Sequence, residues 1–128
     1  MNCKKEKLTN KEFAIELEKR TKRFAINIIN LSFKLKTNAA GKVICYRLIK
    51  AGTSIGANYR EANRSVSQAD FKNKISICTK EAAETQYWIE LIMESELIPV
   101  EQMKKLYEES GELLALFSQI FKTCKTNH

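Results

Sequence analysis

The chain has 128 residues, 44% hydrophobic and 29% charged, with four Gly, one Pro and a net charge of +7. That length suits one globular domain with its own core, and so few breaking residues favour long helices. No run of about 18 apolar residues is present for a membrane span, and Met1 to Lys7 lack the apolar stretch of a signal peptide, so a cytoplasmic protein is expected.

The first predicted helix runs from about Asn10 to Leu35, with Thr9 or Asn10 as cap and Glu12 in its first turn. Phe13, Leu17, Phe24, Ile28, Leu31 and Leu35 recur at helical spacing and form one apolar stripe. A second stripe, Ile15, Ile26, Ile29 and Phe33, lies nearly opposite. A helix at the edge of a small bundle needs one apolar face, so the second is expected to pack on another subunit.

Lys36 to Ala40 reads as the connection to a second helix over about residues 39–64. This helix is rich in small residues, with Gly52 and Gly56 four apart on one face. Glycine inside a helix costs roughly 1 kcal/mol against alanine, and close approach of a neighbouring helix would offset that cost. A phosphate loop is the competing reading, but Ala57 and Asn58 follow Gly56 where a Walker motif has Gly-Lys. Asn58, Glu61 and Asn63 are expected to hydrogen-bond across the bundle as part of the same packing motif. Arg60 and Arg64 flank Glu61 at turn spacing and read as intrahelical ion partners.

Ser65 to Ser67 breaks the chain again, and Ser67 with Asp70 is a capping pattern for a third helix over about residues 67–96. Its apolar positions are Phe71, Ile75, Cys78, Ala82, Thr85, Trp88 or Ile89, and Ile92. Pro99 suits the first turn of a fourth helix over about residues 99–122. There Val100, Met103, Tyr107, Leu114, Phe117 and Phe121 form the stripe, Gly111 is a weak point, and Lys122 to His128 reads as a frayed tail. Four helices with short turns imply an all-α, antiparallel up-down-up-down bundle spanning residues 1–128 as one domain.

The chemistry is sparse. The four cysteines, Cys3, Cys45, Cys78 and Cys124, form no C-x-x-C clip and the one histidine is His128, so no metal site or other cofactor is expected. Histidine acid–base chemistry and a Cys–His nucleophile therefore lack a member, and no catalytic residue is assigned. Glu81 and Glu84 lie three apart but lack the Glu-x-x-His pairs of a di-iron bundle.

Residues 1–50 hold 13 Lys/Arg against 4 Asp/Glu, whereas residues 51–100 hold 5 against 7. Such concentration is the electrostatic footprint of a nucleic-acid binder, and equally that of a solvated face. Candidate phosphate contacts are Lys19, Arg20, Lys22 and Arg23, with Lys34, Lys36, Arg47 and Lys50 beside the first turn. Lys22 also falls in the second apolar stripe, where its stem can pack at a subunit interface. No aromatic-interleaved stacking platform is evident, which argues against sequence-specific reading.

The run from Ser54 to Asn63, then Asp70-Phe71, Lys74 to Ile77, Lys80-Glu81-Ala82, Glu84-Thr85 and Tyr87-Trp88, resembles the bacterial four-helix-bundle family of ribosomal RNA intervening-sequence proteins. The resemblance covers nearly the whole chain, with its specific motifs between residues 51 and 88. It implies a homopentameric ring of bundles. The fold is similar to that of the accessory variability proteins of diversity-generating retroelements, basic pentamers that bind nucleic acid and a reverse transcriptase. The resemblance carries a fold and no reaction. The expected function is a non-enzymatic, basic homo-oligomer binding RNA or DNA through its backbone. A scaffold for a protein partner such as a reverse transcriptase is the alternative, and no membrane partner is expected.

Overall fold

The computed structural model describes residues 10–125. It contains α1 (Asn10–Ser32), α2 (Ala39–Ala62), α3 (Gln68–Ser95) and α4 (Lys104–Lys125), with a 3-10 turn at Val100–Gln102. No strand occurs among the described residues. Short connections run consecutive helices antiparallel, giving the up-down-up-down four-helix bundle. Consecutive helices pack closely along their seams, whereas α1 and α4 run side by side with few close contacts.

Local chemistry sets the helix starts. Asn38 accepts a hydrogen bond from the Gly41 amide at 2.8 Å, and Ser67 accepts one from the Asp70 amide at 3.1 Å, so orphan amides at both N-termini are satisfied. A Cβ on Gly41 would lie 1.9 Å from the Lys36 carbonyl oxygen, so the turn into α2 folds back too tightly for a side chain. Glu96 ends α3 with φ 58°, a left-handed cap that a non-glycine residue adopts at a cost, and its amide reaches back to Ile92 and Met93. The expected Thr9 cap, Cys3 and His128 lie outside the described residues.

The core is one cluster. Leu17, Phe24, Ile28, Leu31 and Leu35 come from α1 and the turn after it. Leu48, Ile55 and Tyr59 come from α2, Ile75, Cys78, Ala82, Ile89 and Ile92 from α3, and Leu113 and Phe117 from α4. Tyr59 meets Phe117 edge to face, ring centres 5.4 Å apart. Gly52 and Gly56 pack as expected. A Cβ on Gly52 would come within 2.9 Å of Ile28 Cγ1, and one on Gly56 within 3.0 Å of Thr21 Oγ1. These two contacts fix the antiparallel register of α1 against α2.

Several expectations are corrected. Helix α1 stops at Ser32, because residues 33–35 tighten into i to i+3 bonds, Lys34 N to Leu31 O at 2.9 Å and Leu35 N to Ser32 O at 3.1 Å. Phe13 is 36% exposed despite lying on the core stripe. Pro99 precedes the 3-10 turn, and α4 begins only at Lys104. The buried register of α4 is Met103, Leu106, Ser110, Leu113 and Phe117, while Tyr107 and Leu114 are half-buried flanks. Helix α4 passes through Gly111 without a break and continues to Lys125 rather than fraying at Lys122. On α3 the core position is Ile89, with Trp88 half-buried beside it.

Candidate nucleic-acid interface

The helix pairing divides the charge. Residues 10–62 hold 11 Lys/Arg against 4 Asp/Glu, and residues 68–125 hold 7 against 10. Helix α2 has no acidic residue before Glu61. The α1–α2 half is therefore basic, and the α3–α4 half mildly acidic.

On α1, Lys19, Lys22 and Arg23 are exposed on the side away from Leu17, Phe24 and Ile28. Lys34 and Lys36 are exposed in the first turn, and Arg47 and Lys50 along α2. Lys34 Nζ donates to Gln102 Oε1 at 2.7 Å, tethering the first turn to the 3-10 turn. Lys50 lies within electrostatic reach of Glu81 on α3, whose acidity burial and nearby Glu84 weaken.

Arg20 departs from the expected set. Its Nε donates to Glu109 Oε2 at 2.7 Å and its Nη2 to Glu109 Oε1 at 2.8 Å, a two-pronged pairing, and Nη2 also reaches Glu112 at 2.5 Å. These carboxylates hold the guanidinium charged, with its pKa raised. Arg20 thus clamps α1 to α4 instead of standing free for phosphate. The pairing of Arg60 or Arg64 with Glu61 also does not form. Glu61 accepts from Lys74 Nζ at 2.6 Å, Arg60 faces Glu18 at 3.7 Å, and Arg64 Nη1 reaches the Arg60 carbonyl at 3.5 Å. Asn63 Nδ2 donates to Glu18 Oε2 at 2.8 Å, so Glu61 and Asn63 do bridge helices, whereas Asn58 turns back to the Ser54 carbonyl at 2.9 Å.

The second apolar stripe is on the surface. Ile15, Ile26, Ile29 and Phe33 are exposed, Phe33 by 79%. On α2, Val43 and Tyr46 are exposed as well. The sequence reading did not single out Tyr46, because it falls opposite the core of α2 and carries no periodic signal of its own.

Two carboxylates of α3 are engaged in ordinary contacts. Trp88 Nε1 donates to Glu84 at 3.1 Å and the Tyr107 hydroxyl to Glu90 at 3.1 Å. Among the described residues no three His, Cys, Asp or Glu side chains converge as metal ligands, and no helix is long and apolar enough to cross a membrane.

The fold and surface together define an all-α helical bundle with a basic half. The family model for the 23S rRNA-intervening sequence protein matches residues 14–119. The chain belongs to that family. It is similar, at 40% identity and a TM-score of 0.76, to a crystal structure of a protein of unknown function from the S23 ribosomal protein family of Bacteroides thetaiotaomicron VPI-5482. That likeness covers 82% of this chain and 97% of the other. No curated protein matches significantly.

Proposed function

We propose that this protein is a non-enzymatic, cytoplasmic homo-oligomer that binds nucleic acid through phosphate contacts without strong sequence preference. The observation that carries the reading is charge segregation. Lys19, Lys22, Arg47 and Lys50 stand exposed on the α1–α2 half, where residues 10–62 hold 11 cations against 4 anions. Cationic side chains on such a face bind by releasing condensed counterions, and they position a nucleic acid without reading it. The similar protein's assignment to a ribosomal protein family favours RNA over DNA. The reading calls for no cofactor. Homopentamer formation is part of the proposal, supported by the exposed Ile15, Ile26, Ile29 and Phe33.

The test is binding of labelled RNA and duplex DNA across a salt series, for the wild type and for a variant with Lys19, Lys22, Arg47 and Lys50 changed to Glu. Affinity falling linearly on a log–log salt plot, by about 0.7–0.9 per phosphate contact, and lost in the variant at unchanged native mass, is the expected result. Wild-type protein that binds neither nucleic acid near physiological salt overturns the reading. The same exposed apolar residues support a second reading, a scaffold holding a co-encoded protein such as a reverse transcriptase.

A further inference from the structure

The loose packing of α1 against α4 leaves an open groove of about 660 Å³, within the range of roughly 300–1,000 Å³ typical of ligand sites. Arg20 and Glu109 bridge its middle and largely neutralise each other. To one side, at the level of Asn27, stand Arg23 from α1 and Lys105 from α4. Both are exposed, and among the described residues neither has an ion-pair or hydrogen-bond partner. To the other side partly exposed Phe13 lines the groove together with Leu17, Leu116 and Glu16. The groove is thus polar by ends, with unneutralised cations at one and an exposed aromatic at the other. Arg23 and Phe13 are ten residues apart on one helix, about 15 Å along its axis.

Resting on the nucleic-acid reading, we propose that this groove grips a short single-stranded RNA segment in preference to a duplex. A backbone phosphate sits between Arg23 and Lys105, and the unpaired base of a nucleotide farther along the strand stacks on Phe13. The carboxylate of Glu16 keeps phosphate away from the aromatic end, so the ring meets a base rather than the backbone. A duplex cannot use the site, because its bases are already stacked and turned inward. Two cations reaching in from different helices fix the phosphate, while the ring accepts any base face, so the site selects strandedness rather than sequence.

The experiment measures fluorescence anisotropy of a labelled ten-nucleotide oligouridylate and of an RNA hairpin, across a salt series, with native mass checked for each protein. Phe13→Ala is expected to weaken single-strand binding about five- to a hundredfold, to leave hairpin binding unchanged, and to keep the salt slope. Phe13→Trp should retain the single-strand preference and Phe13→Leu should lose it, which separates ring stacking from simple packing. Arg23→Gln combined with Lys105→Gln should lower the single-strand salt slope by about 0.7, the share of one phosphate. Wild type that binds nucleic acid while Phe13→Ala binds oligouridylate equally well overturns this inference and leaves the broader reading standing. Wild type that binds neither probe overturns both.

Discussion

Gly52 and Gly111 are both helix-interior glycines, but their neighbours give them opposite meanings. Beside Gly52 a Cβ would press on Ile28 Cγ1 at 2.9 Å, and Ile28 is fully buried. Beside Gly111 the nearest atom is Gln86 Nε2 at 3.3 Å, the far end of a flexible side chain. Gly52→Ala should therefore destabilise by about 1–3 kcal/mol through overpacking. Gly111→Ala should stabilise by about 0.5–1 kcal/mol, since alanine restricts the unfolded chain and favours the helix. Urea denaturation of the two variants checks the pair. Cys78 offers a test by pH. Its thiol is fully buried against the Ile55 carbonyl, 3.5 Å away, and burial pushes its pKa from 9.0 up to about 12. The folded chain holds this proton more tightly than the unfolded one. Its contribution is thus complete below pH 9.0 and disappears as pH rises towards about 12. Denaturation midpoints across the alkaline range should fall with pH in the wild type and less steeply in Cys78→Ala.

At the scale of the element, α4 is the helix whose face was hardest to assign. Apolar spacing alone allows Tyr107, Leu114 and Phe121 as its inner row. In the folded bundle Leu106, Ser110 and Leu113 take the inner positions, and Tyr107 and Leu114 become flanks. The rotation is set by what α4 meets. On one side Arg20 grips Glu109 and Glu112, and on the other the Tyr107 hydroxyl reaches Glu90. Leu113→Ala should cost about 2–5 kcal/mol, the range for a large-to-small change in a packed core. Leu114→Ala should cost clearly less, because that side chain is only partly buried at the edge of the core. Thermal denaturation of the two single variants measures the difference and hence the rotation of α4. The α1–α2 pair was easier to read, because Gly52 and Gly56 announced close approach by their spacing.

At the scale of the whole molecule, two surfaces remain uncommitted within one chain: the basic half, and the apolar stripe of Ile15, Ile26 and Ile29 on α1 with Phe33 just after it. A contiguous exposed apolar surface marks an interaction site in a folded protein. If the stripe joins copies of the chain, Ile26→Asp with Phe33→Asp should lower the native mass by light scattering while leaving the helical circular dichroism unchanged. Retained mass would shift the stripe to another partner. The apolar stripe and the cations share α1, so assembly and nucleic-acid binding are coupled by geometry, and the charge variants require their native mass to be checked alongside affinity.

The sequence by itself determined what depends on near neighbours along the chain. The Ser67 cap, the 3–4 spacing of α1 and α3, the small-residue face of α2 and the excess of cations before residue 51 were all legible, because each is a local or compositional property. The family could be read from the same stretch, since its motif is a packing signature. Only the tertiary structure decided the pairings between helices. Arg20 found Glu109, 89 positions away, rather than standing free, and Glu61 chose Lys74 over its neighbouring arginines. Phe13 was left lining a groove because α1 and α4 pack loosely against each other. Such outcomes turn on the rotation and register of whole helices, and those follow from the shape of every contacting face together rather than from the spacing along any one of them.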